Sequence, residues 1–227
     1  MSDSTAQQPP PTNSRLVLLG TLLVGIVATF VVIYALTNRP RNTSATPIVN
    51  YSQNFDGVQA VNPPKQVQDF TLINQTETPV SLSNYHGKMV LMFFGFTNCE
   101  DVCPGTLLQF KQIRQKLGDK ADKVAFLFIS VDPKRDTAPV LEDYLKRFDP
   151  TITGLVGDTK VFDTIKNDYE LEFIEVPNTD GTTGGAYAIS HTPSPFLIDA
   201  EGKLVARYAY GTDVNLMIND MTSRMGA

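Results

Sequence analysis

The chain has 227 residues, of which 42% are hydrophobic, and a formal net charge of −5. This length allows one well-buried core, so we expect a single globular domain beside the N-terminal segments described next. The acidic balance and the lack of clustered Lys and Arg argue against a nucleic-acid partner, because phosphate binding needs concentrated positive charge. With only two cysteines and two histidines, thiol or metal chemistry must draw on very few residues.

The N-terminal part of the chain predicts a membrane anchor. Residues 1–15 are polar and Pro-rich, a composition typical of a disordered tail. Residues 16–36 carry no charge, and at about 1.5 Å per residue they can cross a hydrocarbon core of roughly 30 Å. A signal peptide has a shorter apolar region of about 7–15 residues, so we favour an uncleaved transmembrane helix. Residues 37–64 predict a flexible tether, short stretches of which can pack on the domain.

Residues 65–227 alternate between strand and helix patterns. Two short strands within residues 69–82 surround a polar turn, which indicates a hairpin at a sheet edge. Residues 89–96 form an apolar run typical of a strand that is covered on both faces. A helix predicted at residues 104–117 and a strand at 124–131 follow. This β-α-β order favours a parallel pair.

The second half of the domain predicts three helices and a second hairpin. One helix begins at Asp136 or Thr137, either of which can cap it, and reaches about residue 148. A helix at residues 159–169 follows, and a last helix begins at Asp213. Strands at 196–198 and 204–210 flank a turn at 199–202. The fold class is therefore α/β, a mixed sheet flanked by helices.

Cys99 and Cys103 follow the predicted central strand, at the sheet edge where ligand sites concentrate in α/β proteins. Pro104 favours a helix start here, so the cysteines are expected to straddle that start, where the helix dipole stabilises thiolate. Their spacing permits a chelate or a disulfide. The alternative is that both are buried apolar residues without chemistry.

A metal site needs a third ligand. His191 precedes a predicted strand on the cysteine side of the sheet, whereas His86 lies in a predicted surface turn. His191 is therefore the better candidate, against the alternative of a structural histidine held by hydrogen bonds. Two thiolates and an imidazole suit Cu(I), although zinc accepts the same donors.

The sequence resembles the Sco/SenC family through GFTNCEDVCP at residues 95–104, VDPKRDT at 131–137 and SHTPSPFLIDAEG at 190–202. The resemblance implies a thioredoxin-like fold with an added N-terminal β-hairpin and one preceding transmembrane helix. It also implies a copper metallochaperone, with Cys99, Cys103 and His191 as copper ligands. The expected partners are subunit II of cytochrome c oxidase, whose binuclear copper centre the protein helps to assemble, and a thiol reductant.

The same resemblance places the protein in a bacterial inner membrane as a single-pass protein, with its domain in the periplasm. Asn98 and Glu100 depart from the usual His and Pro of the family's cysteine loop. Pro193 and Pro195 make the histidine loop similar to a thioredoxin cis-proline loop, and we predict a cis Thr192–Pro193 bond.

Two other functions remain open. A copper carrier is not an enzyme. The first alternative is an enzyme, a thiol-disulfide oxidoreductase that uses Cys99 and Cys103. A copper or redox sensor would need a mobile loop, which the Gly-rich residues 180–185 can supply.

Other residues near these motifs also have donor atoms. Met217, Met221 and Met225 recur every four residues and are predicted to form a core stripe on the last helix, not a set of sulfur ligands. Asp132 and Asp136 are predicted to shape the loop and cap the helix instead of binding metal.

Overall fold

The structure, a computed structural model, describes Tyr34 and residues 50–53, 57–177, 187–191 and 193–226. The chain divides into two compact units, Met1–Ile48 and Val49–Ala227, and the second unit is the domain described below. Among the described residues, no helix has the length and apolar character needed to cross a bilayer. The span predicted at residues 16–36 lies outside the description apart from Tyr34, as do the predicted tail and residues 180–185.

The described part of the domain contains eleven strands and four α-helices. The strands are β1 Asn50–Gln53, β2 Val58–Gln66, β3 Thr71–Asn74, β4 Pro79–Ser81, β5 Met89–Gly95, β6 Val124–Ser130, β7 Thr153–Val156, β8 Phe173–Pro177, β9 Tyr187–His191, β10 Phe196–Ile198 and β11 Lys203–Tyr208. The helices are α1 Val102–Leu117, α2 Ala138–Lys146, α3 Thr159–Tyr169 and α4 Val214–Arg224.

A nine-stranded mixed sheet forms the centre of the domain, in the order β1-β2-β11-β10-β5-β6-β7-β3-β4. Strands β5, β6 and β7 are parallel, as the β-α-β pattern predicted for the first two. Every residue of β5 is buried, which explains its unbroken apolar sequence, because a central strand is covered on both faces. Strands β8 and β9 form a separate antiparallel pair.

Helices cover both faces of this sheet. Phe110 of α1 packs on Phe126, with ring centroids 5.8 Å apart, and Tyr144 of α2 packs on Phe128 at 6.0 Å. Both phenylalanines belong to β6 and are two residues apart, so they share a face. On the opposite face, Phe94 of β5 contacts Tyr169 of α3 at 5.6 Å.

Both predicted hairpins are present. Strands β3 and β4 pair at one edge of the sheet, and β10 pairs antiparallel with β11. Strand β2 pairs with β11, and it lies largely in the stretch assigned to the tether. The ordered sheet therefore starts upstream of Lys65.

The helix boundaries agree with the sequence patterns at three of the four N-termini. Asp158 and Asp213 cap α3 and α4, each accepting hydrogen bonds from two backbone N–H groups. Helix α2 begins after Thr137, whose side chain makes no capping bond, and it ends at Lys146, short of the predicted residue 148. Helix α1 begins at Val102, two residues before Pro104.

Candidate functional site

Cys99 and Cys103 lie in contact at the start of α1. Cys99 is in the loop after β5 and Cys103 is the second residue of the helix. The backbone N–H of Cys103 donates to Sγ of Cys99 over 3.4 Å, and the two side chains are also hydrogen-bonded to each other. The first N–H groups of a helix have no partner within it, so the Cys99 sulfur supplies an acceptor at the positive end of α1. The two cysteines are not joined by a disulfide.

The two thiols differ in exposure. Cys103 is fully buried, and this burial, followed by its hydrogen bond with Cys99, raises the pKa of the Cys103 thiol far above its ordinary value. Its sulfur also packs closely against β5, because a Cβ atom added at Gly95 would lie 2.9 Å from Sγ of Cys103. Cys99 is partly exposed. A ligand must therefore reach the pair from the Cys99 side.

A pocket of about 250 Å³ opens beside Cys99. Its walls combine apolar and acidic side chains from the cysteine loop, the start of α1 and strand β9, among them Phe96, Glu100, Asp101, Val102 and Tyr187. The cysteine pair is thus accessible through a small, open depression.

Asp136 fixes the start of the cysteine loop. This carboxylate is fully buried and accepts hydrogen bonds from the backbone N–H of Thr97 at 2.9 Å and from the Thr97 hydroxyl at 2.6 Å. The Ser130 hydroxyl donates a third bond at 2.6 Å. Burial nevertheless raises the pKa of Asp136 above its ordinary value, although these hydrogen bonds lower it. The predicted loop-shaping role is present, but Asp136 does not cap α2.

Asp132 and Arg135 connect the same turn to strand β9. The Tyr187 hydroxyl donates to Asp132 at 2.7 Å, and Arg135 donates through Nε to Asp132 and through Nη1 to the Tyr187 carbonyl at 3.0 Å. The guanidinium also stacks on the Tyr187 ring, 4.0 Å from its centroid. Burial and the bond to Asp132 raise the pKa of Tyr187 to about 12. The sequence contained no signal for Tyr187, because its partners are about fifty residues away.

His191 ends strand β9, where its backbone pairs with Phe173. Its side chain lies outside the described residues, as do Thr192 and therefore the predicted cis Thr192–Pro193 bond. Strand β10 runs antiparallel to β5, with Phe196 opposite Met92 and Ile198 opposite Val90. The chain just before Phe196 therefore approaches from the carboxyl end of β5, the end that the cysteine loop follows.

His86 lies at the other end of the central strand. It precedes β5, and its Nε2 would be 2.9 Å from a Cβ atom added at Gly202, in the β10–β11 turn. The seven residues of β5 span roughly 20 Å. His86 is thus too far from Cys99 to share a metal ion with it.

The methionine stripe belongs to the core, as predicted. Met217 and Met221 are 1% and 0% exposed, and Met225 is packed against the same cluster. Among the residues that the structure describes, no group of three His, Cys, Asp or Glu side chains could hold a metal ion. The cysteine pair supplies two soft donors, which fit copper once a third ligand is added.

Comparison with known proteins identifies the family. The SCO1/SenC family model matches residues 58–226. This chain belongs to the SCO1/SenC family. The resemblance carried by the cysteine and histidine motifs is therefore confirmed.

Individual relatives agree with this assignment. A SCO2-like protein of Rickettsia felis is 29% identical over 194 residues, which cover 86% of this chain and 88% of the relative. The structure of Bradyrhizobium japonicum ScoI with copper bound is 33% identical, with a TM-score of 0.62, and the match covers 70% of this chain and 99% of that one. Apo Sco1 from Thermus thermophilus is 33% identical, with a TM-score of 0.64 and coverage of 77% and 99%. The mixed α/β fold is accordingly that of the thioredoxin-like Sco structures.

Proposed function

We propose that this protein is a copper metallochaperone that binds copper through Cys99, Cys103 and His191. The observation that carries the proposal is the contact between the two thiols, joined by the 3.4 Å bond from Cys103 N–H to Cys99 Sγ beside an open pocket. Two adjacent sulfurs at a helix N-terminus favour a soft cation such as Cu(I), which must displace the proton that burial holds on the Cys103 thiol.

The third ligand is proposed from chain direction and from the family. The chain around His191 leads into β10 from the carboxyl end of β5, which is also the end occupied by the cysteine loop. Copper is present in the solved Bradyrhizobium japonicum ScoI structure, a relative at 33% identity. These two observations support an imidazole that completes the site over the two sulfurs.

A site with three protein ligands suits transfer of the metal. Closed structural sites have four protein ligands, whereas an open position lets an acceptor ligand enter before the carrier's ligands leave. We propose that the acceptor is subunit II of cytochrome c oxidase, at its binuclear copper centre. A thiol reductant is then required, because the pair binds copper only when reduced.

We also propose that residues 16–36 anchor the protein by a single span in a bacterial inner membrane, with the domain in the periplasm. The support is the uncharged 21-residue stretch, long enough for the hydrocarbon core. A protease-protection assay on sealed spheroplasts checks it: external protease should degrade the domain. Protection of the domain until the cells are lysed would contradict this orientation.

The ligand set is tested by copper titration of the reduced, purified full-length chain. We expect one copper per chain, loss of tight binding in Cys99→Ser and Cys103→Ser, and weaker binding in His191→Ala. His86→Ala is the matched control, since it removes the only other imidazole from the far end of β5 and should bind as the parent does. If His191→Ala keeps the parent's affinity, this ligand set is wrong.

A thiol-disulfide oxidoreductase is the second candidate, favoured by the hydrogen bond between the two thiols. In that case the accessible Cys99 attacks a partner disulfide and forms a mixed disulfide, while one partner sulfur leaves as a thiolate. Cys103 then attacks Cys99 in the mixed disulfide and displaces the second partner sulfur, so the cysteine pair is oxidised and the partner is reduced. Thiol exchange does not need His191. An intact exchange activity in His191→Ala, together with unchanged copper binding, would favour the enzyme over the carrier.

A further inference from the structure

One short turn contacts both parts of the proposed copper site. Residues 132–136, which we call the β6–α2 turn, follow β6 and precede α2. On one side, Asp136 holds Thr97, two residues before Cys99. On the other, Asp132 and Arg135 hold Tyr187, four residues before His191. The two chain segments are about ninety residues apart, and the turn joins them.

The contacts that Arg135 and Asp132 make fix the orientation of Tyr187 as well as attract it. Arg135 donates to the Asp132 carboxylate and to the Tyr187 carbonyl through different nitrogens, while its plane lies on the Tyr187 ring. Asp132 is 2% exposed and accepts from both partners. A planar guanidinium fixes two acceptors and a ring at once, which a lysine ammonium on a flexible chain cannot do.

We propose that Arg135 is a positioning residue for copper binding: through Asp132 and Tyr187 it holds strand β9, and with it His191, over the cysteine loop. The inference rests on the proposed function, because it assumes that His191 binds the metal. Arg135 itself does not touch the copper. Its contribution is to keep the imidazole near the two sulfurs before copper arrives. His191 and strand β9 then lose less conformational freedom when copper binds.

A double-mutant cycle on the reduced, purified full-length chain tests the proposal. Copper(I) affinity is measured by competition with a chromogenic Cu(I) chelator for the parent, Arg135→Gln, His191→Ala and the double variant. We expect Arg135→Gln to lower affinity about 10- to 100-fold in the parent, as outer residues that orient a ligand do. In the His191→Ala background the same substitution should change affinity by no more than about twofold, because the residue that it positions is already gone.

A charge-matched variant separates position from electrostatics. Arg135→Lys keeps the positive charge but loses the two-acceptor geometry, so its affinity should fall nearly as far as that of Arg135→Gln. Lys146→Gln is the control, since it removes a cation from the neighbouring helix α2 whose ion pair with Glu142 is exposed, and it should bind copper within about twofold of the parent. Full affinity in Arg135→Lys would overturn the proposal in favour of a charge effect.

A milder second variant tests the same contact in case Arg135→Gln fails to fold. Tyr187→Phe removes the hydroxyl that donates to Asp132 and preserves the ring, so it changes no charge. It should weaken binding in the same direction and lose the imidazole-nitrogen hyperfine coupling in the electron paramagnetic resonance spectrum of the Cu(II) form. Parent-like spectra and affinity in Tyr187→Phe, or equal losses for Arg135→Gln in both backgrounds, would overturn the inference. If instead His191→Ala binds as the parent does, the proposed ligand set fails first.

Discussion

The carboxylate of Asp136 accepts two hydrogen bonds from one residue, Thr97: its N–H at 2.9 Å and its hydroxyl at 2.6 Å. Thr97 is the second residue after β5, and Asp136 is the second before α2. The pair therefore joins the loop that carries Cys99 to a turn thirty-nine residues away. Because Asp136 is fully buried, these bonds have little competition from water.

Removing the Thr97 hydroxyl should destabilise the domain. Thr97→Val keeps the side-chain shape and the backbone N–H but deprives the buried Asp136 oxygen of its hydroxyl donor. We expect a loss of about 1–3 kcal/mol in the free energy of unfolding, measured by urea denaturation. Thr97→Ser, which keeps the hydroxyl, should lose less. Equal stabilities for the Val variant and the parent would show that this bond contributes nothing net.

Titration of the Asp136 carboxyl should make the free energy of unfolding depend on pH. Burial raises the pKa of its carboxyl above the ordinary 3.8, so the folded state holds this proton at pH values where the unfolded state has released it. The associated stabilisation is present below pH 3.8 and is lost as pH rises through the raised pKa. Asp136→Asn has no proton to release and should lack this component.

Denaturation of parent and variant at several pH values, from about 4 to 7, measures the Asp136 component as the difference between their stability curves. The parent should lose stability relative to Asp136→Asn as the pH rises across this interval. A difference that grows in the opposite direction would mean that the three hydrogen bonds outweigh burial and lower the pKa of Asp136.

Gly95 cannot carry a side chain without displacing the side chains packed against it. A Cβ atom there would lie 2.7 Å from the Phe93 ring, 2.8 Å from the Phe128 ring and 2.9 Å from Sγ of Cys103. Gly95→Ala should therefore lower stability by about 1–3 kcal/mol, as overpacking does, and shift Cys103. Thermal denaturation and the rate at which Cys103 reacts with a thiol reagent in Cys99→Ser provide the measurements. Gly87→Ala, where nothing lies within 4 Å of the added atom, tests a glycine without crowding, although its φ of +88° still imposes backbone strain.

Met221 should affect stability and not metal content. Its side chain is fully buried in the core, so Met221→Ala leaves a cavity and should cost about 2–5 kcal/mol of unfolding free energy. Copper stoichiometry of the folded variant should remain that of the parent. A variant that keeps its stability but binds less copper would reassign the methionine as a sulfur ligand.

Local patterns predicted most of the central fold. The apolar run at β5 and the β-α-β order predicted the parallel pair, and the helices predicted to begin at Thr159 and Asp213 are present. Five strands were not predicted, β1, β2, β7, β8 and β9, because each is short or irregular in pattern and is stabilised by its neighbours. The extent of α2 was overestimated by two residues for a similar reason: helix ends are decided by packing.

The sequence alone determined which donor residues this protein has, two cysteines four residues apart at a helix start and two histidines, together with the motifs that mark the SCO1/SenC family. Residue type and local spacing decide these features, since helix and strand periodicities act over a few residues. Only the tertiary structure decided that Asp132, Arg135 and Asp136 connect the cysteine loop to the strand of His191. Such contacts depend on which distant segments the sheet order brings together, and no local pattern encodes that order.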